Sequence, residues 1–191
     1  MMNIIITSPS LNPKVNVSGI SSVTQFIISN NRKQNYLHFE LGKKDKEKGG
    51  WHRIPALIKK YREWKNVLAL HPDAIVHYNF PLSKASLLRD PWFMRYAWKN
   101  GRKMVVHVHG GLFLTAPHIP GILMRIMKWV FGQDLPFIVL SDMEKGILTE
   151  RFGAKKVAVL PNCVDLSDAA AFENEQLVHD ESKPLRIGYL G

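Results

Sequence analysis

The sequence predicts an α/β protein: a doubly wound, mostly parallel, Rossmann-like sheet with helices on both faces. Three observations predict it. Short apolar, β-branched runs alternate along the chain with stretches of helical three-and-four spacing. The run Ile4–Ile6 and the run Met104–Val106 are apolar without alternation, the pattern of strands covered on both faces. Several end in polar groups or glycine, at the strand ends where open α/β sheets gather ligands.

Asn3-Ile4-Ile5-Ile6-Thr7-Ser8-Pro9 reads as a buried first strand, followed by a polar loop to Val17. Ser18 is a helix N-cap candidate ahead of Gly19 and Ile20, and Ile20, Val23 and Ile27 form the inward face of the helix. Amides opening a helix after a strand, with glycine removing the side chain, make an anion site; an ordinary capped helix reads the same way, and no GxGxxG is present. Tyr36–Leu41 is a second strand, and residues 42–50 are a lysine-rich charged loop. Ile54, Leu57, Ile58, Tyr61 and Leu68 repeat at helical spacing after Pro55, with Lys59, Lys60, Arg62 and Lys65 on the outer face.

Asp73–Pro81 is a third strand carrying His77 and Asn79 near its carboxyl end. Residues 82–100 are helical in pattern, with a break expected at Asp90-Pro91, and Trp92, Phe93 and Tyr96 are expected in the core. Gly101 ends this helix. The central run Met104-Val105-Val106-His107-Val108-His109 then leads into Gly110-Gly111. A titratable side chain at a strand end, next to glycines that admit a substrate to the backbone, marks a place for chemistry; a hydrogen-bonded strand-end histidine before a plain turn is the alternative. Ile119–Gly132 is a basic amphipathic helix with Trp129, suited to packing on a sheet or to lying in a lipid interface. Pro136–Leu140 is a fifth strand, Ser141 caps a helix from Asp142 to Phe152, and Lys156–Leu160 is a sixth strand.

Composition narrows the function classes. The chain has 191 residues, 46% hydrophobic, with a formal charge of +10. Residues 165–184 hold six acids and one base, a net of −5, so the remainder carries +15. Such a field attracts phosphates, nucleic acid or anionic lipid without choosing among them. No nucleic-acid signature accompanies it, and no zinc-ligand spacing is present. No apolar run reaches the roughly 18 residues of a membrane-spanning helix. The single Cys163 points to a reducing compartment. Residues 1–165 read as one domain, 166–184 as an acidic linker, and 185–191 as the opening strand of a further, truncated domain.

Four features in order now carry a resemblance: Val17-Ser18-Gly19-Ile20 after the first strand; His109-Gly110-Gly111 after the fourth; Ser141-Asp142-x-x-Lys145 with Phe152-Gly153; and Lys156-Val157-x-Val159-Leu160-Pro161-Asn162-x-Val164-Asp165. The chain resembles the N-terminal domain of a family 4 glycosyltransferase of the GT-B fold, a retaining hexosyltransferase type that uses a nucleotide sugar. Leu185–Gly191 resembles the first strand of that family's C-terminal, nucleotide-sugar domain. Ser18 stands where the family usually has a first glycine, and Cys163 where it has the glycine of Asn-Gly. Glu173 and Glu181 match the spacing of the family's glutamate pair but lie in the linker, where the spacing is coincidental.

The resemblance implies that His109 carries catalysis by touching the transferred sugar or acceptor. It implies that Ser18, Gly19 and Ile20 face the donor diphosphate. His77, Asn79, Gly110 and Gly111 fall on the acceptor side by position, and Ser141 and Asn162 at the interdomain boundary. No cofactor and no metal is expected, the nucleotide sugar being a substrate. Expected partners are a nucleotide sugar, a saccharide or lipid-linked acceptor, a missing C-terminal domain and, at the periphery, an anionic membrane; nucleic acid is not expected. The implied setting is polysaccharide biosynthesis in the cytoplasm, at the inner membrane face, with the 191 residues inactive by themselves. A non-catalytic acceptor- or lipid-binding module that docks a separate donor-binding subunit is the rival reading.

Overall fold

A computed structural model describes residues 1–43, 47 and 50–162. Cys163, the acidic linker and residues 185–191 lie outside the described residues, as does most of the lysine-rich loop. The described chain runs β1 (Asn3–Ser8), α1 (Gly19–Asn30), β2 (Asn35–Glu40), a 3-10 turn (Trp51–Arg53), α2 (Ile54–Leu70), β3 (Ile75–Phe80), α3 (Lys84–Lys99), β4 (Met104–Val108), α4 (Leu112–Thr115), α5 (Gly121–Phe131), β5 (Pro136–Val139), α6 (Asp142–Phe152) and β6 (Lys156–Val159). All six strands are parallel, in the order β2-β1-β3-β4-β5-β6. This is the Rossmann-like α/β sheet that the sequence predicts.

The strand order decides where the helices lie. Crossovers between parallel strands are right-handed, so the direction of each step fixes the face its helix covers. The step from β1 to β2 goes one way, and every later step goes the other. Helix α1 therefore covers one face, and α2 to α6 the opposite one. Side chains alternate across a strand, and the buried cluster records the result. Ile5, Val76, Tyr78, Phe80, Val106, Val108, Phe137 and Val139 join Trp64, Leu68, Phe93, Met127, Val130, Phe131 and Leu148 in one core. The other face carries Ile6, Ser8, His77, Asn79 and His107, with α1 over Asn79. Loops leaving β1 and β3 diverge to opposite faces, which opens a crevice at their carboxyl ends.

The structure corrects three expectations. Helix α3 runs unbroken through Pro91. Proline removes one ladder hydrogen bond and crowds the carbonyl four residues back, but Leu87, Phe93, Met94 and Ala97 are buried on both sides of it and hold the helix to the sheet. Trp92 is 62% exposed, on the outer side of α3, whereas Phe93 is buried as expected. Helix α2 meets the core through its C-terminal half, where Trp64 packs against Phe39, Tyr78 and Phe93 and donates its indole N–H to the Phe93 carbonyl. Ile54, Leu57 and Ile58 are exposed. Their helical spacing is right, but among the described residues no element covers that turn enough to bury them. Helix α4 and the 3-10 turn have no counterpart in the sequence pattern, being shorter than a period can register.

Candidate active site

Because the sheet is parallel, the loops after β1, β4, β5 and β6 emerge at one edge. They bring Ser18, Gly19 and Ile20, then His109, Gly110 and Gly111, then Ser141 and Asn162 to the same side of the molecule. Ser18 caps α1, its Oγ accepting from the Ser21 amide at 3.2 Å. Among the described residues, a β-carbon placed on Gly19 would meet no atom within 4 Å, whereas Ser21 of the same turn is buried. Ile20 is half-buried. Ser141 caps α6 by accepting from the Glu144 amide at 3.3 Å, and Asn162 is exposed beyond β6.

Gly110 and Gly111 have φ of +60° and +123°. The second is required twice over. Its φ is one that side chains rarely adopt, and an added β-carbon would lie 2.9 Å from Leu82 Cβ and 3.0 Å from the Leu82 carbonyl oxygen. This close approach lets the chain turn directly from β4 into α4. It also sets His109 beside β3, where its amide donates to the Phe80 carbonyl at 3.2 Å.

His109 Nε2 lies 2.7 Å from Asn79 Oδ1. Asn79 is itself buried and held on every side. Its amide NH2 donates to the Thr7 carbonyl at 2.7 Å and to Thr24 Oγ1 at 2.9 Å, and its backbone N–H donates to Thr7 Oγ1 at 3.0 Å. Asn79 thus joins β1, β3 and α1 at the crevice and reaches His109 in β4's exit loop. The rings of His107 and His109 stack at 4.1 Å between centroids, and His77 Nε2 lies 3.2 Å from His107 Nδ1. His77 sits two residues before Asn79 on β3, below the rim and against His107, so it is the second step of an imidazole row that begins at the edge. Among the described residues, His107 Nε2 is buried without a partner. A bare lone pair costs less there than an unpaired N–H, which favours His107 donating from Nδ1 to His77.

Burial holds all three rings neutral. It lowers His109 to about 3, helped by His107 and His77, and lowers His77 and His107 to about 4 from the ordinary 6.5. A neutral imidazole offers one donor and one acceptor and no charge.

Four further residues belong to this edge and were not singled out from the sequence. Thr7 and Thr24 clamp Asn79. Glu144 is buried and accepts the Leu140 amide through Oε2 at 2.7 Å, while its Oε1 lies where a β-carbon on Gly110 would approach to 3.2 Å. Ser8 Oγ bonds His38 Nε2 at 2.9 Å. Thr7 and Ser8 read as the end of a strand and Thr24 as one turn of a helix; only the fold shows what they touch. Glu144 had a signal, standing three residues after the Ser141 cap in the place of a capping-box acid. Among the described residues no cluster of three or more His, Cys, Asp or Glu side chains is arranged to hold a metal ion.

The family model for Glycosyltransferase Family 4 matches residues 37–168, well over half of the chain. The chain belongs to glycosyltransferase family 4. A search of curated proteins gave no match. In this glycosyltransferase domain, amides at a helix start, a glycine turn and an imidazole held by Asn79 leave the sheet at one edge. Among the described residues, no helix of the family 4 domain is long and apolar enough to cross a membrane.

Proposed function

We propose that this domain is the N-terminal, acceptor-side half of a GT-B glycosyltransferase that moves a hexose from a nucleotide sugar to an acceptor hydroxyl with retention, the acceptor being a saccharide or a lipid-linked saccharide. The observation that carries the proposal is the His109–Asn79 pair beside Gly110-Gly111, at the edge where Gly19 opens α1. In such a reaction negative charge grows on the departing diphosphate while the sugar ring gains oxocarbenium character. Rate is gained from donors aimed at the phosphates and from a fixed sugar and acceptor oxygen. The amides at Gly19 and Ile20, where α1 opens, suit the diphosphate. His109 suits a hydroxyl of the transferred sugar, while Gly110 and Gly111 leave room for the acceptor. Ser141 and Asn162 border the side on which a donor-binding domain would close, in the cytoplasm at the inner face of a membrane.

The test is transfer by the full-length protein against a panel of nucleotide sugars, with His109→Ala. We expect a fall in kcat/KM of at least about tenfold, with an unchanged circular dichroism spectrum and denaturation midpoint. Equal turnover in the two proteins would remove His109 from the site. The isolated 191-residue chain should bind nucleotide only weakly in calorimetry, since most donor contacts are expected from the other domain.

Peripheral contact with an anionic membrane completes the proposal, and a specific surface favours it. On the side of α3 and α5 away from the sheet, Leu88, Trp92, Ile122 and Trp129 are exposed among Lys84, Arg95, Lys99, Arg125 and Lys128. Tryptophan and aliphatic side chains ringed by basic groups are the composition of a surface that rests on charged lipid.

A further inference from the structure

We propose that Asn79 is a positioning residue that locks His109 as the Nε2–H tautomer, so that Nδ1 is a standing hydrogen-bond acceptor for a substrate hydroxyl. The tautomer follows from the bonding alone; naming the hydroxyl as a sugar's rests on the glycosyl-transfer reading above.

The Thr7 carbonyl can only accept, so the Asn79 atom 2.7 Å from it is the amide nitrogen. The second hydrogen of that nitrogen goes to Thr24 Oγ1. The amide therefore cannot turn over without losing the Thr7 bond and setting two acceptor oxygens against each other in a buried place, and Oδ1 is fixed toward His109. An amide oxygen only accepts, so His109 Nε2, at 2.7 Å, must carry the hydrogen. In a neutral ring Nδ1 then bears the lone pair, and among the described residues it has no hydrogen-bond partner.

The groups that could charge the ring do not oppose this. His107 and His77 face it from the sheet and disfavour a further proton. Helix α1, over Asn79, carries no ionisable side chain. From α6, Glu144 approaches Gly110 but spends one oxygen on the Leu140 amide. A neutral acceptor nitrogen selects a hydroxyl and has no pull on a phosphate. The row thus separates two jobs along the edge: amides at Gly19 for the anion, and His109 Nδ1 for a hydroxyl donor.

Long-range 1H–15N correlation spectra of the uniformly 15N-labelled protein test this without substrate. His109→Gln identifies the resonances. In the wild type we expect His109 Nε2 to be protonated and Nδ1 to be of the unprotonated type, unchanged between pH 8 and pH 5.5. In Asn79→Leu, of similar size, the two tautomers should mix. In Asn79→Asp, which keeps the shape but places a charge on the acceptor, His109 should take a second proton within that range. A wild-type His109 protonated at Nδ1, or one that titrates with an ordinary pKa, overturns the proposal. So does an Asn79→Leu protein whose His109 signals are those of the wild type. Should Asn79→Leu fail to fold, the wild-type spectrum and Asn79→Asp still decide. Failure of every donor in the transfer assay would sink the glycosyl-transfer reading and leave these spectra untouched.

Discussion

Gly111 shows how much one residue decides at the rim. With φ of +123° and Leu82 at 2.9–3.0 Å from any β-carbon, it meets both backbone strain and a backbone clash. Strained placements of this kind cost about 1–3 kcal/mol. Gly110, at φ +60°, is also strained for a side chain, but its β-carbon would meet Glu144 Oε1 at 3.2 Å and no backbone atom. Gly111→Ala should therefore lower the urea midpoint clearly more than Gly110→Ala, and equal midpoints would show that the turn is not pinned against Leu82. That glycine pair, and His109 before it, were legible because their chemistry is local: a strand ends and the next residues are special. Asn79 was legible as a polar group at a strand end but not as a clamp. Its partners Thr7 and Thr24 are 72 and 55 residues away in sequence, and no spacing rule reaches across two crossovers.

At the scale of elements, the strands were legible because each contains a short apolar run, but their order was not, since right-handed crossovers assign each helix to a face only once that order is known. What the pattern did not carry was which turns of a helix find a neighbour. Ile54, Leu57 and Ile58 have the periodicity of a buried face and remain exposed, while Pro91 sits inside a helix that packing keeps whole. Nor did it carry the paired faces of β3 and β4, whose histidines meet across the register His77↔Val105, Asn79↔His107. Those rings make acid sensitivity a property of the sheet. Unfolded histidine takes a proton near pH 6.5, whereas the buried rings resist it down to about 4, and His109 to about 3. Between those limits the unfolded chain binds more protons, so stability is full above about pH 6.5 and is lost as pH falls toward 4. Each ring contributes a slope of at most about 1.4 kcal/mol per pH unit. Urea midpoints measured from pH 8 to pH 4.5 should be flat and then fall, and His77→Gln should make the fall shallower. A midpoint independent of pH across that span would mean that the three rings charge freely in the folded protein.

For the molecule as a whole, charge and shape point outward from the same two helices. The formal charge of +10 acts at a distance, but steering alone gives no orientation. The exposed Ile122 and Trp129 on α5, beside Leu88 and Trp92 on α3, give the field a face to bring down on a surface. The two contributions respond differently to salt. Attraction to anionic lipid is worth about 1 kcal/mol per basic residue near the surface and fades over a Debye length of about 10 Å at 0.1 M salt, whereas apolar insertion is not screened. The protein should float with phosphatidylserine-containing vesicles at low salt, lose part of that binding at 0.5 M salt, and bind neutral vesicles only to about the extent that survives high salt. Arg125→Glu with Lys128→Glu should weaken binding mainly at low salt. Ile122→Ala with Trp129→Ala should remove the part that survives high salt. Absence of flotation at both salt concentrations would leave this face without a lipid partner. Binding unaffected by either pair of substitutions would move the contact elsewhere, with the exposed first turns of α2 and their lysines the next surface to alter.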